Sequence, residues 1–123
     1  MTAKDLETAV RRRPGMAIVD LTGEISGLSE QALDAVFNEA MSPVPGAVLL
    51  NFAEVGYINS TGIALIVGLL ARAQASEVRM MASGLGDHFS QIFEITRLSS
   101  YIVMFTDEEA AFAGLGPQEG GQQ

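Results

Sequence analysis

From Leu6 to Val10 the side chains Leu6, Thr8 and Val10 alternate with Asp5, Glu7 and Arg11. A period of two belongs to a strand with one face covered. Arg13-Pro14-Gly15 closes the run as a turn, and Met16 to Leu21 reads as the next strand, ending at Thr22-Gly23. The period then changes. Ser26-Gly27-Leu28-Ser29 opens a helix, with Ser29 able to cap its free amides and Glu30 suited to the positive end of its dipole. Leu33, Val36, Phe37, Ala40 and Met41 recur at helical spacing until Pro43 and Pro45 stop the run. Ala47 to Phe52 is continuously apolar, the pattern of a central strand covered on both faces.

A link from Ala53 to Ile58 leads to a second helix beginning near Ser60. A strand from Val78 to Ala82, a third helix from about His88 to Leu98 capped by Asp87, and a strand from Tyr101 to Phe105 follow. Thr106 with Glu109 fits a capping box for a last short helix through Phe112. From Gly114 to Gln123 the composition is that of a disordered tail. The order β-β-α-β-α-β-α-β favours a sheet with parallel pairs and helices packed against it. There is no internal repeat and no second domain.

Composition fits one such domain: 123 residues, 48% hydrophobic and 18% charged, are enough to bury a core. A net charge of −8 argues against nucleic acid, whose binders carry clustered Lys and Arg. The one basic run, Arg11-Arg12-Arg13, ends at Pro14-Gly15 and fits a hairpin rim. With no cysteine and a single histidine, neither thiol chemistry nor a transition-metal site is expected, and no cofactor is signalled. The start of the chain is polar, and no apolar run approaches the roughly 20 residues of a membrane span. These features predict a cytoplasmic chain without membrane insertion, in which Asn59-Ser60-Thr61 has no meaning as a glycosylation sequon.

Enzymatic chemistry finds no footing. Activating Ser60 as a nucleophile needs a base, but the lone His88 belongs to the start of the third helix and no Gly-x-Ser-x-Gly elbow is present. Gly84-Leu85-Gly86 lacks the third glycine of a dinucleotide loop and the Walker lysine, and reads as a turn. No catalytic residue is assigned.

The informative stretch runs from Val48 to Leu65. Asn59 is a favoured N-cap, so Ser60, Thr61 and Gly62 form a first helical turn whose amides lack partners within the helix. A hydroxyl there is commonly just a cap or a tolerated first-turn residue; a regulatory site is the other reading. Ile63, Ile66, Val67, Leu70 and Ala73 make a stripe that faces the sheet. Leu65 and Leu69 fall off it, beside Gly68, Arg72 and the Ser60-Thr61 end. They form an exposed apolar patch rimmed by polar groups, as partner surfaces are, unless another helix or a homodimer partner covers them.

Asn59-Ser60-Thr61-Gly62-Ile63 resembles the Asp-Ser-Ser/Thr-Gly-Leu motif of the STAS family, best known from bacterial anti-sigma factor antagonists. Leu21-Thr22-Gly23-Glu24-Ile25, Ile92-Phe93-Glu94-Ile95-Thr96-Arg97-Leu98 and Phe105-Thr106-Asp107-Glu108-Glu109-Ala110-Ala111 are similar to three further landmarks of that family, in the same order. The resemblance implies a single STAS-like α/β domain over residues 1–113, with a mixed central sheet of about five strands flanked by about four helices, followed by the tail from 114. It implies binding to an anti-sigma factor with serine kinase activity through Asn59, Ser60, Thr61, Gly62, Leu65, Leu69 and Arg72. Ser60 is the implied phosphorylation site and Thr61 the fallback acceptor; a phosphatase and a homodimer are further implied partners. Asn59 stands where the family carries Asp, and Arg97 where it carries glycine. Asn keeps the capping ability and loses the negative charge. The alternative role for the same fold is a scaffold or regulatory module of a stress-signalling or transporter-associated complex.

Overall fold

The structure is a computed structural model and describes residues 5–115. Its elements are β1 (Glu7–Arg13), β2 (Met16–Ile25), α1 (Glu30–Ala40), β3 (Ala47–Ile58), α2 (Ser60–Ala75), β4 (Arg79–Ser83), α3 (Asp87–Ile95), β5 (Val103–Phe105) and α4 (Glu108–Gly114). The strands lie in the order β1-β2-β3-β4-β5. β1 pairs antiparallel with β2 through a tight turn at Pro14-Gly15, and the remaining neighbours are parallel. This is the mixed five-stranded sheet with four helices expected from the sequence.

A strand order that never reverses fixes where the helices go. Parallel crossovers are right-handed, so three in the same direction put α1, α2 and α3 on one face. Leu33, Val36 and Phe37 of α1, Ile66, Leu69 and Leu70 of α2 and Phe93 of α3 meet Ala17, Val19, Val48, Leu50, Met80 and Ala82 there. Phe52 and Phe93 pack edge to face, with ring centroids 5.7 Å apart. The alternate strand residues Met16, Ile18, Ala47, Leu49 and Met81 point to the other face, which Ala111 of α4 covers together with Phe105, Phe112 and Leu115. Ala47 to Leu50 is thus buried on both sides, as its unbroken apolar run predicts.

Several boundaries differ from the sequence reading. Ala53 to Ile58 is strand rather than link, and β2 continues past Thr22-Gly23 to Ile25, because the two extensions pair with each other. Register shifts at Asp20/Thr22 and Gly23/Glu24 break the alternation, so Phe52, Val55 and Ile58 are buried at intervals of three and leave no period-two signal. Ser26, not Ser29, opens the first helical segment, a single 3-10 turn over Gly27–Ser29. Gly86 rather than Asp87 precedes α3. Asp107 rather than Thr106 caps α4, its carboxylate accepting from the Ala110 amide at 2.8 Å. Tyr101 lies outside β5, after a 3-10 turn over Leu98–Ser100. Of the expected tail, Gly114 ends α4 and Leu115 packs on the second core; residues 116–123 lie outside the described residues.

The arginine run is consumed by the fold. Arg11 donates to both oxygens of Asp20 at 2.6 and 2.9 Å and to Glu108 at 2.7 Å. Arg13 reaches Glu108 and Glu109 and lies over the Phe112 ring at 3.8 Å. Arg12 donates to the Glu39 carbonyl in the last turn of α1 and to the Ser42 carbonyl just beyond it. The hydrogen bonds from Arg11 hold the Asp20 and Glu108 carboxyls below their ordinary pKa, against the opposing effect of partial burial. Two of the three arginines therefore clip α4 to the hairpin, and the third closes α1.

Candidate functional site: the turn that opens α2

β3 delivers the chain to α2 beside the end of β2. The Asn59 amide donates to the Ile25 carbonyl at 3.1 Å, and the Asn59 side-chain oxygen accepts from the Gly62 amide at 2.8 Å. The first intrahelical bond is Ile63 N–H to Asn59 C=O at 2.9 Å. The amides of Ser60 and Thr61 therefore have no helical acceptor, the usual condition of a first turn. Asn supplies the cap as well as the family's Asp would.

Gly62 sets the rotation of the whole helix. A Cβ there would lie 2.4 Å from the Ile25 carbonyl oxygen, so α2 approaches β2 more closely than any other residue type permits. At about 100° per residue, fixing Gly62 inward also turns Ile66, Leu69, Leu70 and Ala73 inward, and these are the buried positions of α2. Ser60, two residues back, then points nearly the opposite way. Ser60, Ala64, Val67, Gly68 and Ala71 are exposed.

This rotation separates the residues grouped by sequence. Asn59, Ser60, Thr61 and Gly62 are brought together at the turn. Leu69, expected outward, is only 4% exposed, and Leu65 packs partly buried against the core. Val67, expected against the sheet, is 45% exposed. Arg72 is committed to α1, pairing with Asp34 at 3.1 Å, bonding the Asn38 side chain and lying over Phe37. α2 is apolar around most of its circumference, so its periodicity leaves the rotation open; the close approach at Gly62 decides it.

A second loop completes the surface. Thr61 is exposed, but its methyl lies against Gly27, where a Cβ would come within 3.0 Å. Next to Gly27 stands Leu28, 90% exposed, a residue the sequence reading passed over. The signal available for it was the Ser-x-x-Ser spacing around it, which marks a capped turn. Further along α2, a groove of about 250 Å³ lies between Val67, Leu70, Ala71 and Gln74 and the Leu98–Tyr101 segment.

Among the described residues, no group of three or more His, Cys, Asp or Glu is placed to hold a metal. Gly84, at φ 78°, bends the chain where a Cβ would meet the Ala53 backbone at 2.7 Å, so the Gly84-Leu85-Gly86 segment is a packed turn. No helix among the described residues is long and apolar enough to cross a membrane.

The family model described as the STAS domain matches residues 7–111. The chain belongs to the STAS domain family. Its anti-sigma-B factor antagonist relative in Staphylococcus aureus is 28% identical over 80 residues, covering 65% of this chain and 74% of that one. Among solved structures, an anti-sigma factor antagonist from Mycobacterium paratuberculosis superposes with a TM-score of 0.79 at 17% identity, over 92% of this chain and 96% of that one. The Bacillus cell fate determinant SpoIIAA in its phosphorylated form gives a TM-score of 0.67 at 17% identity, over 88% and 99%. At these identities the structural likeness is one of fold. In this STAS domain Arg97, at the glycine position of the third landmark, adopts the left-handed conformation at φ 69°. The glycine preference there is a backbone requirement, and Arg97 meets it under strain.

Proposed function

We propose that this STAS domain is an anti-sigma factor antagonist, a binding switch controlled by phosphorylation of Ser60. The supporting observation is the placement of Ser60: outward at the first position of α2, on a turn held by the Asn59 cap and the Gly62–Ile25 contact. Its relatives are anti-sigma factor antagonists, which supports an anti-sigma factor as the class of partner. The unmodified turn and the outward face of α2 dock on that factor, which then cannot hold its sigma factor. A kinase activity of the same partner ends the interaction by modifying Ser60.

A phosphate at Ser60 adds a charge of about −1.5 to −2. The unspent amides of Ser60 and Thr61 and the positive end of the helix dipole accommodate that charge within the chain. An interface shaped for a neutral hydroxyl does not, and a loss of about 3 kcal/mol there weakens binding more than a hundredfold. The fold survives and the partner is released. Thr61, with its methyl against Gly27, is the poorer acceptor.

The test is site-resolved mass spectrometry after incubation with ATP and each purified anti-sigma factor of the same genome, with Ser60→Ala and Thr61→Ala in parallel. Phosphate on Ser60, absent from Ser60→Ala and accompanied by loss of binding, is the expected result. Binding without any modification of Ser60 would remove the switch and leave a constitutive binder.

A further inference from the structure

We propose that Leu28 is an anchor of the partner surface, inserting into an apolar pocket of the anti-sigma factor that the Ser60 turn contacts; this rests on the antagonist reading. Among the large apolar side chains described, Leu28 is the most exposed, at 90%. Single exposed leucines on loose loops are ordinary. This one is held.

The Leu28 amide donates to Ser26 Oγ at 3.2 Å, the Ser26 amide donates to Ser29 Oγ at 3.0 Å, and Ser29 Oγ donates to the Glu24 carbonyl at 3.3 Å. Ser29 is itself buried, so the 3-10 turn is bolted to the end of β2 from beneath. Because the backbone that carries Leu28 is already fixed, binding orders its side chain but no loop, which lowers the cost that separates an anchor from a passive contact.

Its location names the occupant. The contact between Gly27 and the Thr61 methyl makes the Leu28 turn and the Ser60 turn one continuous surface. Beyond Ser60 that surface runs over Ala64, Val67, Gly68 and Ala71, all exposed and small apart from the half-exposed Val67, so a partner resting on α2 comes close to the backbone beside Gly68. Leu28 is twice as exposed as Val67, the largest apolar side chain of that face. The complementary partner has a shallow surface for the helix and an apolar pocket beside it.

The experiment is calorimetric titration of each purified anti-sigma factor of the same genome with unphosphorylated wild type, Leu28→Ala, Leu28→Met and, as a control, Ile95→Ala, whose side chain is 79% exposed on α3. The expected result is affinity lower by about tenfold or more for Leu28→Ala, retained binding for Leu28→Met and Ile95→Ala, and unchanged thermal midpoints throughout. Wild-type binding with an unaffected Leu28→Ala would overturn the anchor and leave the antagonist reading intact. Equal losses for Leu28→Ala and Ile95→Ala would also overturn it, as generic apolar adhesion. Failure of wild type to bind any of the factors would overturn the antagonist reading and the anchor with it.

Discussion

Two glycines on α2 should respond to alanine in opposite directions. At Gly62 the new Cβ would sit 2.4 Å from the Ile25 carbonyl oxygen and 2.8 Å from its carbon. Ile25 cannot withdraw cheaply, since it is in register with Ile58 and its carbonyl accepts the Asn59 amide. Overpacking of this kind costs about 1–3 kcal/mol, and loss of the Asn59 bond adds about 1 kcal/mol. The better helix propensity of alanine returns up to about 1 kcal/mol. The net expectation is a loss of about 2 kcal/mol, a urea midpoint lower by roughly 1 M. At Gly68 a Cβ meets nothing within 4 Å, so alanine stabilises by about 0.5–1 kcal/mol. Urea melts of wild type, Gly62→Ala and Gly68→Ala, followed by circular dichroism, decide the matter. A Gly62→Ala protein as stable as Gly68→Ala would refute the close approach and the helix rotation derived from it.

Asn59→Ala should lose about 1 kcal/mol with the cap, whereas Asn59→Asp, which keeps the acceptor, should be at least as stable as wild type by the same melts. Arg97→Gly should gain about 0.5–1 kcal/mol, the relief of left-handed strain less the greater freedom of glycine in the unfolded chain. Because Arg11 depresses the pKa of Asp20 and Glu108, their stabilisation is complete above the unfolded carboxylate value of about 4 and is lost as pH falls through the lower folded values. Arg11→Ala should therefore cost about 1 kcal/mol at neutral pH and flatten the acid limb of a stability–pH curve. An acid limb unchanged in Arg11→Ala would assign it to other carboxylates.

The order and type of the elements, the doubly buried centre of β3 and the placement of Ser60 at a helix start were legible because each is a local pattern. What was not legible came from contacts between distant residues. The extensions of β2 and β3 stabilise each other across bulges that erase the alternation on which a strand is recognised. Leu65, Leu69 and Val67 were sorted onto the wrong sides of α2 because the helix has apolar residues nearly all round, and what turns it is a backbone contact with Ile25, thirty-seven positions away in sequence. Arg72, a polar residue in line with the site on a helical wheel, is taken by Asp34 and Asn38 of α1. The arginine run of β1 looked like a rim and is a clasp, because its acidic counterparts come from β2 and α4, both unremarkable in isolation.

The anchoring of the Ser60 turn on Ile25, through the Asn59 amide and Gly62, bears on what an enzyme modifying Ser60 would recognise. Ser60 is held in helical geometry, and a short peptide spanning it would not keep that geometry, since an isolated helical turn is unfavourable in water. A linear sequence motif would therefore be a poor substrate. On the switch proposed above, an enzyme acting on Ser60 would read a tertiary surface, and unfolded copies of the chain would be poor substrates for it.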